Sequence, residues 1–293
     1  MTDFFSISLR NALRFSPREY AVLILTAVLL IAVPWSWGGV VFWTVAAAFG
    51  VALVAFLSVF ASYAVHRGAL IVWLGCIVAV LVSAPYEKLW SREALDYLAF
   101  PIAAFVAQLV PFLLLKDEFN TDAVKSAWRD LVRLIPFWLG VLLFGYFAIQ
   151  ALNPWGRVVE RDLFWKIYLE KPIAWLPSGL AAPLTSDEDP GGMNAWRVML
   201  ILGGPWLLFC ALRVGLTQRR AYIILGWIAM LSASVIAIFC FLEQPASGEV
   251  LGFKIPPDIR VFGVFMNRNH GGTYLYLNAA LALSLTFWHI RRA

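Results

Sequence analysis

The run Ala221-Tyr-Ile-Ile-Leu-Gly-Trp-Ile-Ala-Met-Leu-Ser-Ala-Ser-Val-Ile-Ala-Ile-Phe-Cys-Phe-Leu242 is 22 residues long and holds no charged side chain. A helix needs about 20 mostly apolar residues to cross the hydrocarbon core of a bilayer. We therefore predict that this run is a transmembrane helix.

Seven further runs have the length and apolar composition of a membrane span. They cover residues 20–37, 40–65, 69–84, 97–115, 134–152, 196–212 and 271–290. The sequence thus predicts an all-α integral membrane protein with about eight transmembrane helices.

The overall composition agrees with this fold class. Of the 293 residues, 61% are hydrophobic and only 14% are charged, which is more apolar surface than one soluble core of this size can bury. We expect a single polytopic membrane domain over residues 1–293. The net charge of +5 comes from short basic runs between apolar segments, which is typical of membrane orientation and not of a nucleic-acid interface.

The basic residues also predict the orientation of the chain. Of 23 Lys and Arg residues, 13 lie in the two terminal segments and in every second loop between them. Because cytoplasmic loops carry the excess of Lys and Arg, both termini are predicted to be cytoplasmic. Residues 153–195 then form an extracytoplasmic loop, and residues 260–270 lie on the same outer side.

Two of the connecting segments have a pattern of their own. Between residues 116 and 133, apolar residues recur at helical spacing, which fits either an amphipathic helix on the cytoplasmic leaflet or a solvated charged loop. For the outer loop 153–195 we expect one short interfacial helix followed by irregular structure.

Arginine, asparagine and histidine cluster just before the last predicted span, in Arg260-Val-Phe-Gly-Val-Phe-Met-Asn267-Arg268-Asn269-His270-Gly-Gly272. These side chains and the free N–H groups of a helix N-terminus can bind an anion, and arginine suits phosphate best. Arg197 begins another span and either reaches the same outer surface or extends to lipid headgroups. His270 either acts as a general base or caps the helix.

The spacing Arg-x-x-Gly-x-Phe-x-Asn-x-Asn resembles the signature segment of the O-antigen ligase and polymerase superfamily, especially exopolysaccharide polymerase-like members with an Asn-Arg-Asn-His core. Other parts of the chain agree more loosely. They are Pro34-Trp-Ser-Trp-Gly-Gly-Val40, Gln150 with Pro154, Trp175-Leu-Pro-Ser178, the region of Arg197, and Arg219-Arg220.

This resemblance implies a multi-pass glycosyltransferase of the bacterial cytoplasmic membrane that needs no metal or other cofactor. Its donor would be a glycan on undecaprenyl diphosphate, presented at the outer face, with membrane lipids and polysaccharide-assembly proteins as further partners. Arg260 would contact the diphosphate, and Asn267 and Asn269 would shape the adjacent polar pocket. The donor phosphate is a good leaving group, so stabilising its charge is a large part of the catalysis.

Members of that superfamily usually continue past this point, with a large outer loop that carries a further arginine and a histidine. We therefore expect this chain to correspond to the N-terminal part of such a protein. Polymerase is favoured over ligase on the resemblance alone. Two other functions stay open: a non-catalytic protein that binds a lipid diphosphate or a partner, and a transporter. The transporter is disfavoured because no ionisable residue lies in the middle of a predicted span.

Overall fold

The structure is a computed structural model. It describes residues 15–36, 42–60, 63–83, 121–161, 164–182, 194–242 and 268–291, together with short stretches at 102, 105–106, 108–109, 249–250, 253–254 and 262–265. Nearly all of the predicted span at 97–115, and both Arg260 and Asn267, lie outside the described residues.

The described residues are mostly helical, as predicted. The helices are α1 (Pro17–Trp35), α2 (Phe42–Phe60), α3 (Tyr63–Ser83), α4 (Thr121–Val132), α5 (Ile135–Leu152), α6 (Ala195–Gly215), α7 (Arg219–Leu242) and α8 (Arg268–Ile290). Seven of the eight helices, all except α4, correspond to predicted spans. The largest difference between a predicted and an observed end is six residues, at the start of α3.

Four of these helices, α1, α5, α6 and α7, are long and apolar enough to cross a membrane. The protein is therefore membrane-associated, but the count of about eight spans is not confirmed. Helix α8 has 23 residues and is less apolar than these four, because Asn278, Ser284 and Thr286 interrupt its apolar sequence. Each of these three side chains donates to a carbonyl four residues earlier in α8, at 2.9 Å, which satisfies its polar group without a neighbouring helix.

Helix α6 lies at the centre of the bundle and packs against α1, α2, α4 and α5, while α7 packs against α1 and α8. Gly203 and Gly204 of α6 face Phe49 of α2; a Cβ on Gly203 would lie 2.8 Å from the Phe49 ring. Small residues at this crossing let the two helices approach closely, as is common between membrane helices.

The amphipathic segment between residues 116 and 133 is helical over Thr121–Val132, which is α4, and is therefore not the solvated loop that was one of the two alternatives. Its apolar face packs on the bundle: Leu131 is fully buried and Ala127 nearly so. The ring of Trp128 is tilted against that of Phe60 at the end of α2, with ring centroids 5.2 Å apart, and its indole N–H donates to the Phe60 carbonyl at 3.1 Å. Lys125 and Arg129 are on the exposed side.

Our prediction for the segment after α5 is wrong, because this segment forms a sheet and not a short interfacial helix. Strand β1 (Pro154–Arg161) pairs antiparallel with β2 (Phe164–Leu169) and parallel with β3 (Gly179–Ala181), in the order β2-β1-β3. β-Branched and aromatic residues, which favour extended structure, make up four of the six residues of β2 and three of the eight residues of β1. Two short strands, β4 (Glu249–Val250) and β5 (Phe253–Lys254), pair later in the chain.

Two asparagines fix this sheet to the bundle. Asn153, just after α5, donates to the carbonyls of Ile173, Leu176 and Pro177 and accepts from the Ile173 N–H at 2.7 Å. Asn194 caps α6 by accepting from the Trp196 N–H at 2.8 Å, and its amide donates to the Ala182 carbonyl. The sheet therefore lies at the end of the bundle where α5 ends and α6 begins.

Candidate functional site

The segment before α8 contains a tight turn that is buried against α7. Phe262 and Phe265 exchange two backbone hydrogen bonds, of 2.9 and 3.0 Å. Gly263, between them, has φ of +54°, a value that favours glycine. Val264 and Phe265 are 1% and 3% exposed, so the turn packs into the protein.

The partners of this turn come from α1, α7 and α8. Val264 and Phe265 form a cluster with Ile236 and Cys240 of α7. The ring of Phe265 lies 5.5 Å from that of Tyr274 in α8, and Trp35 at the end of α1 lies 5.4 Å from Phe239 of α7. The turn thus fixes the start of α8 to the end of α1 near Trp35 and to the last turns of α7.

A short polar chain supports the same region from inside the bundle. The side chain of Tyr274 in α8 lies close to that of Ser232 in α7. The Ser232 hydroxyl in turn reaches the Leu30 carbonyl of α1 at 3.5 Å. Such bonds hold adjacent membrane helices in register.

The first turn of α8 carries three of the predicted site residues. Arg268, Asn269 and His270 are consecutive, and all three are exposed. The turn contains no acidic residue. The N–H groups of a first helical turn have no intrahelical acceptor. The Arg268 guanidinium and these N–H groups can therefore bind the same anion.

Arg197 lies elsewhere in the molecule. It is 5% exposed, and its guanidinium carbon lies 5.9 Å from the centre of the Phe42 ring at the start of α2, within range of a cation–π contact. Its helix, α6, packs against α2 and α5, whereas α8 packs against α7. The structure therefore does not bring Arg197 together with the first turn of α8 in any extensive packing between helices.

An apolar groove of about 560 Å³ is lined by residues of α2, α5 and α6. Its lining includes Phe49, Phe144, Trp196, Met199 and Trp206. Its lining is almost free of polar atoms, so it suits an acyl or prenyl chain and not a headgroup.

Sequence reasoning missed one buried acidic residue, Glu19, which is 4% exposed. Its Oε1 accepts from the Thr217 hydroxyl at 2.7 Å and from the N–H groups of Thr217 and Gln218 at 3.0 and 3.1 Å. Its Oε2 accepts from the Gln218 amide at 3.2 Å and from the Ser16 N–H at 3.1 Å. The available signal was Ser16-x-x-Glu19, the capping box that starts α1.

These five hydrogen bonds fill the acceptor positions of the carboxylate, so Glu19 is a structural contact and not a ligand. Among the described residues, no three or more His, Cys, Asp or Glu side chains are grouped as they would be to hold a metal ion.

Comparison with known proteins gives no relative: no protein-family model, curated protein or solved structure matches the chain.

Proposed function

We propose that the chain is a multi-pass protein of the bacterial cytoplasmic membrane that binds the diphosphate of a polyprenyl-linked glycan at the outer end of α8, for polymerisation or transfer of the glycan. The proposal includes about eight spans, with both termini in the cytoplasm. The observation that carries it is the exposed run Arg268-Asn269-His270 in the first turn of a helix whose start is held by the buried turn 262–265.

The physical argument begins with charge. A diphosphate cannot enter hydrocarbon, so its binding site must lie at the end of a span and present cations and N–H donors. Arg268 supplies the cation, the first turn supplies the N–H groups, and Asn269 and His270 supply side-chain donors. Arg260 and Asn267, outside the described residues, are one to eight positions before this turn and are proposed to complete the site. We assign Arg197 no contact with the same diphosphate.

Binding can be tested with the purified full chain in detergent. The probes are undecaprenyl diphosphate and undecaprenyl monophosphate, with native mass spectrometry as the measurement. Arg268→Gln should weaken binding of the diphosphate about tenfold or more, because a hydrogen bond to a charged group is lost. Arg291→Gln is the matched control, since Arg291 is also exposed and lies at the opposite end of α8. Equal binding by the two variants would reject the site.

A cellular assay then separates an enzyme from a binding protein. Arg260→Ala should abolish surface polymer at normal protein level. His270→Ala removes one neutral donor, so it should weaken diphosphate binding less than Arg268→Gln does, and it should abolish polymer if His270 also transfers a proton. A normal level of polymer in the His270→Ala strain would show that His270 does not transfer a proton. This result would favour a binding protein over an enzyme that uses His270.

A further inference from the structure

We propose that the free edge of β2 pairs with β2 of a second copy of this chain, so that two outer sheets join into one six-stranded sheet. This inference is independent of the proposed function, since it concerns a different part of the molecule.

Strand β2 is the outermost strand of the sheet. In the order β2-β1-β3, β3 lies beside α5 and α6, and β1 is central. Within the described part of the chain, β2 has a strand partner on one side only. Its sequence Phe164-Trp-Lys-Ile-Tyr-Leu169 contains one charged residue and no proline. Proteins usually protect such an edge with charges, proline or a bulge, because its unpaired backbone groups recruit another strand.

The register defines which backbone groups point outward. The Glu170 N–H donates to the Trp155 carbonyl at 2.9 Å, and Arg157 is opposite Tyr168 in the same ladder. Because hydrogen-bonded and non-hydrogen-bonded pairs alternate in an antiparallel ladder, Tyr168 and Lys166 bond to β1. The N–H and C=O groups of Trp165, Ile167 and Leu169 therefore point to the free edge.

The side chains of these same three residues share one face of the sheet, because successive residues alternate between faces. All three are apolar, and Ile167 and Leu169 are 51% and 80% exposed. The opposite face carries Lys166 and the ion pair between Arg157 and Glu170, at 3.0 Å. At this edge one face is thus apolar, whereas the other face is mixed: it carries Lys166 beside the aromatic Tyr168.

Antiparallel self-pairing centred on Ile167 matches these properties. Ile167 is then opposite Ile167 of the second copy, and Trp165 is opposite Leu169, so apolar residues meet along the whole apolar face. On the polar face Lys166 is opposite Tyr168, which avoids two like charges and permits a cation–π contact. No other residue within the strand is charged, so the pairing creates no repulsion there.

The symmetry of this pair constrains its position. Its two-fold axis is perpendicular to the sheet, and two copies share a bilayer in the same orientation only if that axis lies along the membrane normal. The joined sheet must therefore lie along the membrane surface. Its apolar face, with Trp165, Ile167 and Leu169, then faces the lipid, and the face with Arg157, Lys166 and Glu170 faces water.

Cross-linking tests the register in native membranes. Residues directly opposite in a hydrogen-bonded pair have Cα atoms about 5.5 Å apart, so Ile167→Cys should form covalent dimers with a short thiol cross-linker. Trp175→Cys is the control, because Trp175 is 81% exposed in the same outer segment and has no symmetric partner in the proposed pair. The unmodified chain measures the background from its own cysteines. Equal dimer yields for the two variants would overturn the proposed register.

A pair of proline variants tests the edge itself, with the mass of the detergent-solubilised protein as the measurement. Ile167→Pro removes an N–H that points outward, which an edge strand tolerates; it should abolish the dimer and leave the monomer folded. Tyr168→Pro removes a donor to β1 and should lower the melting temperature instead. Ile167→Lys, which keeps the backbone intact and places two lysines opposite each other, should also abolish the dimer. A stable dimer of Ile167→Lys, or a monomeric unmodified chain in membranes, would overturn the proposal.

Discussion

At the scale of single residues, two adjacent glycines at the start of α8 have opposite requirements. A Cβ on Gly271 would lie 2.7 Å from the ring of Phe262 and 2.9 Å from that of Phe265, whereas a Cβ on Gly272 would meet nothing within 4 Å. Gly271→Ala should therefore displace the buried turn and destabilise the protein. Gly272→Ala should be neutral or stabilising by up to about 1 kcal/mol, because alanine favours the helix. Thermal unfolding in detergent measures the stability of both variants. If Gly272→Ala destabilised the protein and Gly271→Ala did not, this packing would be contradicted.

The sequence places Gly263, Gly271 and Gly272 close together but does not indicate which of them is constrained. Only the positions of Phe262, Phe265 and Cys240 in space distinguish the three glycines. The same limit applies to Arg197. Its place at the start of a span was evident from the sequence, but its burial against Phe42 depends on how α2 and α6 pack.

At the scale of elements, Glu19 joins the start of α1 to the turn between α6 and α7. Glu19→Gln keeps the size of the side chain but turns an NH₂ group toward N–H and O–H donors, which leaves buried donors without acceptors. We expect a loss of about 3 kcal/mol in the free energy of unfolding, measured by SDS titration of the reconstituted protein.

Glu170→Gln is the matched control for that variant, because Glu170 pairs with Arg157 at a site where both side chains are partly exposed. Its loss should be below about 1 kcal/mol. Similar losses for the two variants would show that the buried carboxylate does not hold the helices together.

The helices were predictable as elements and the strands were not, for a physical reason. An apolar run of about 20 residues gives a strong signal, because lipid imposes both its length and its composition. A strand in an outer loop gives a weak signal, since neither length nor composition is imposed. The usable signal was local: Arg157-Val-Val-Glu-Arg161 and Phe164-Trp-Lys-Ile-Tyr-Leu169 are rich in β-formers, and only two residues separate them.

At the scale of the whole molecule, helix ends that the charge pattern assigns to the same side of the membrane contact each other in the folded chain. Phe60 with Trp128, and Glu19 with Thr217, meet at the end predicted to be cytoplasmic. Phe42 with Arg197, and the sheet with the start of α6, meet at the other end. The distribution of charge along the sequence and the contacts of the folded chain therefore agree on an up-and-down arrangement. Which end faces outward is predicted by the charge distribution alone.

Cysteine labelling at one residue from each end determines that orientation. Lys125 of α4 and Arg268 of α8 are both exposed, so a cysteine at either position can react. Cys210 and Cys240 are buried, and the unmodified chain measures the background labelling of the native cysteines. A membrane-impermeant maleimide should label Arg268→Cys in intact cells and Lys125→Cys only after the membrane is opened, because lysine and arginine are enriched in cytoplasmic loops. The reverse pattern would place the start of α8 in the cytoplasm. No donor presented at the outer face could then reach Arg268, whatever its affinity for diphosphate in detergent.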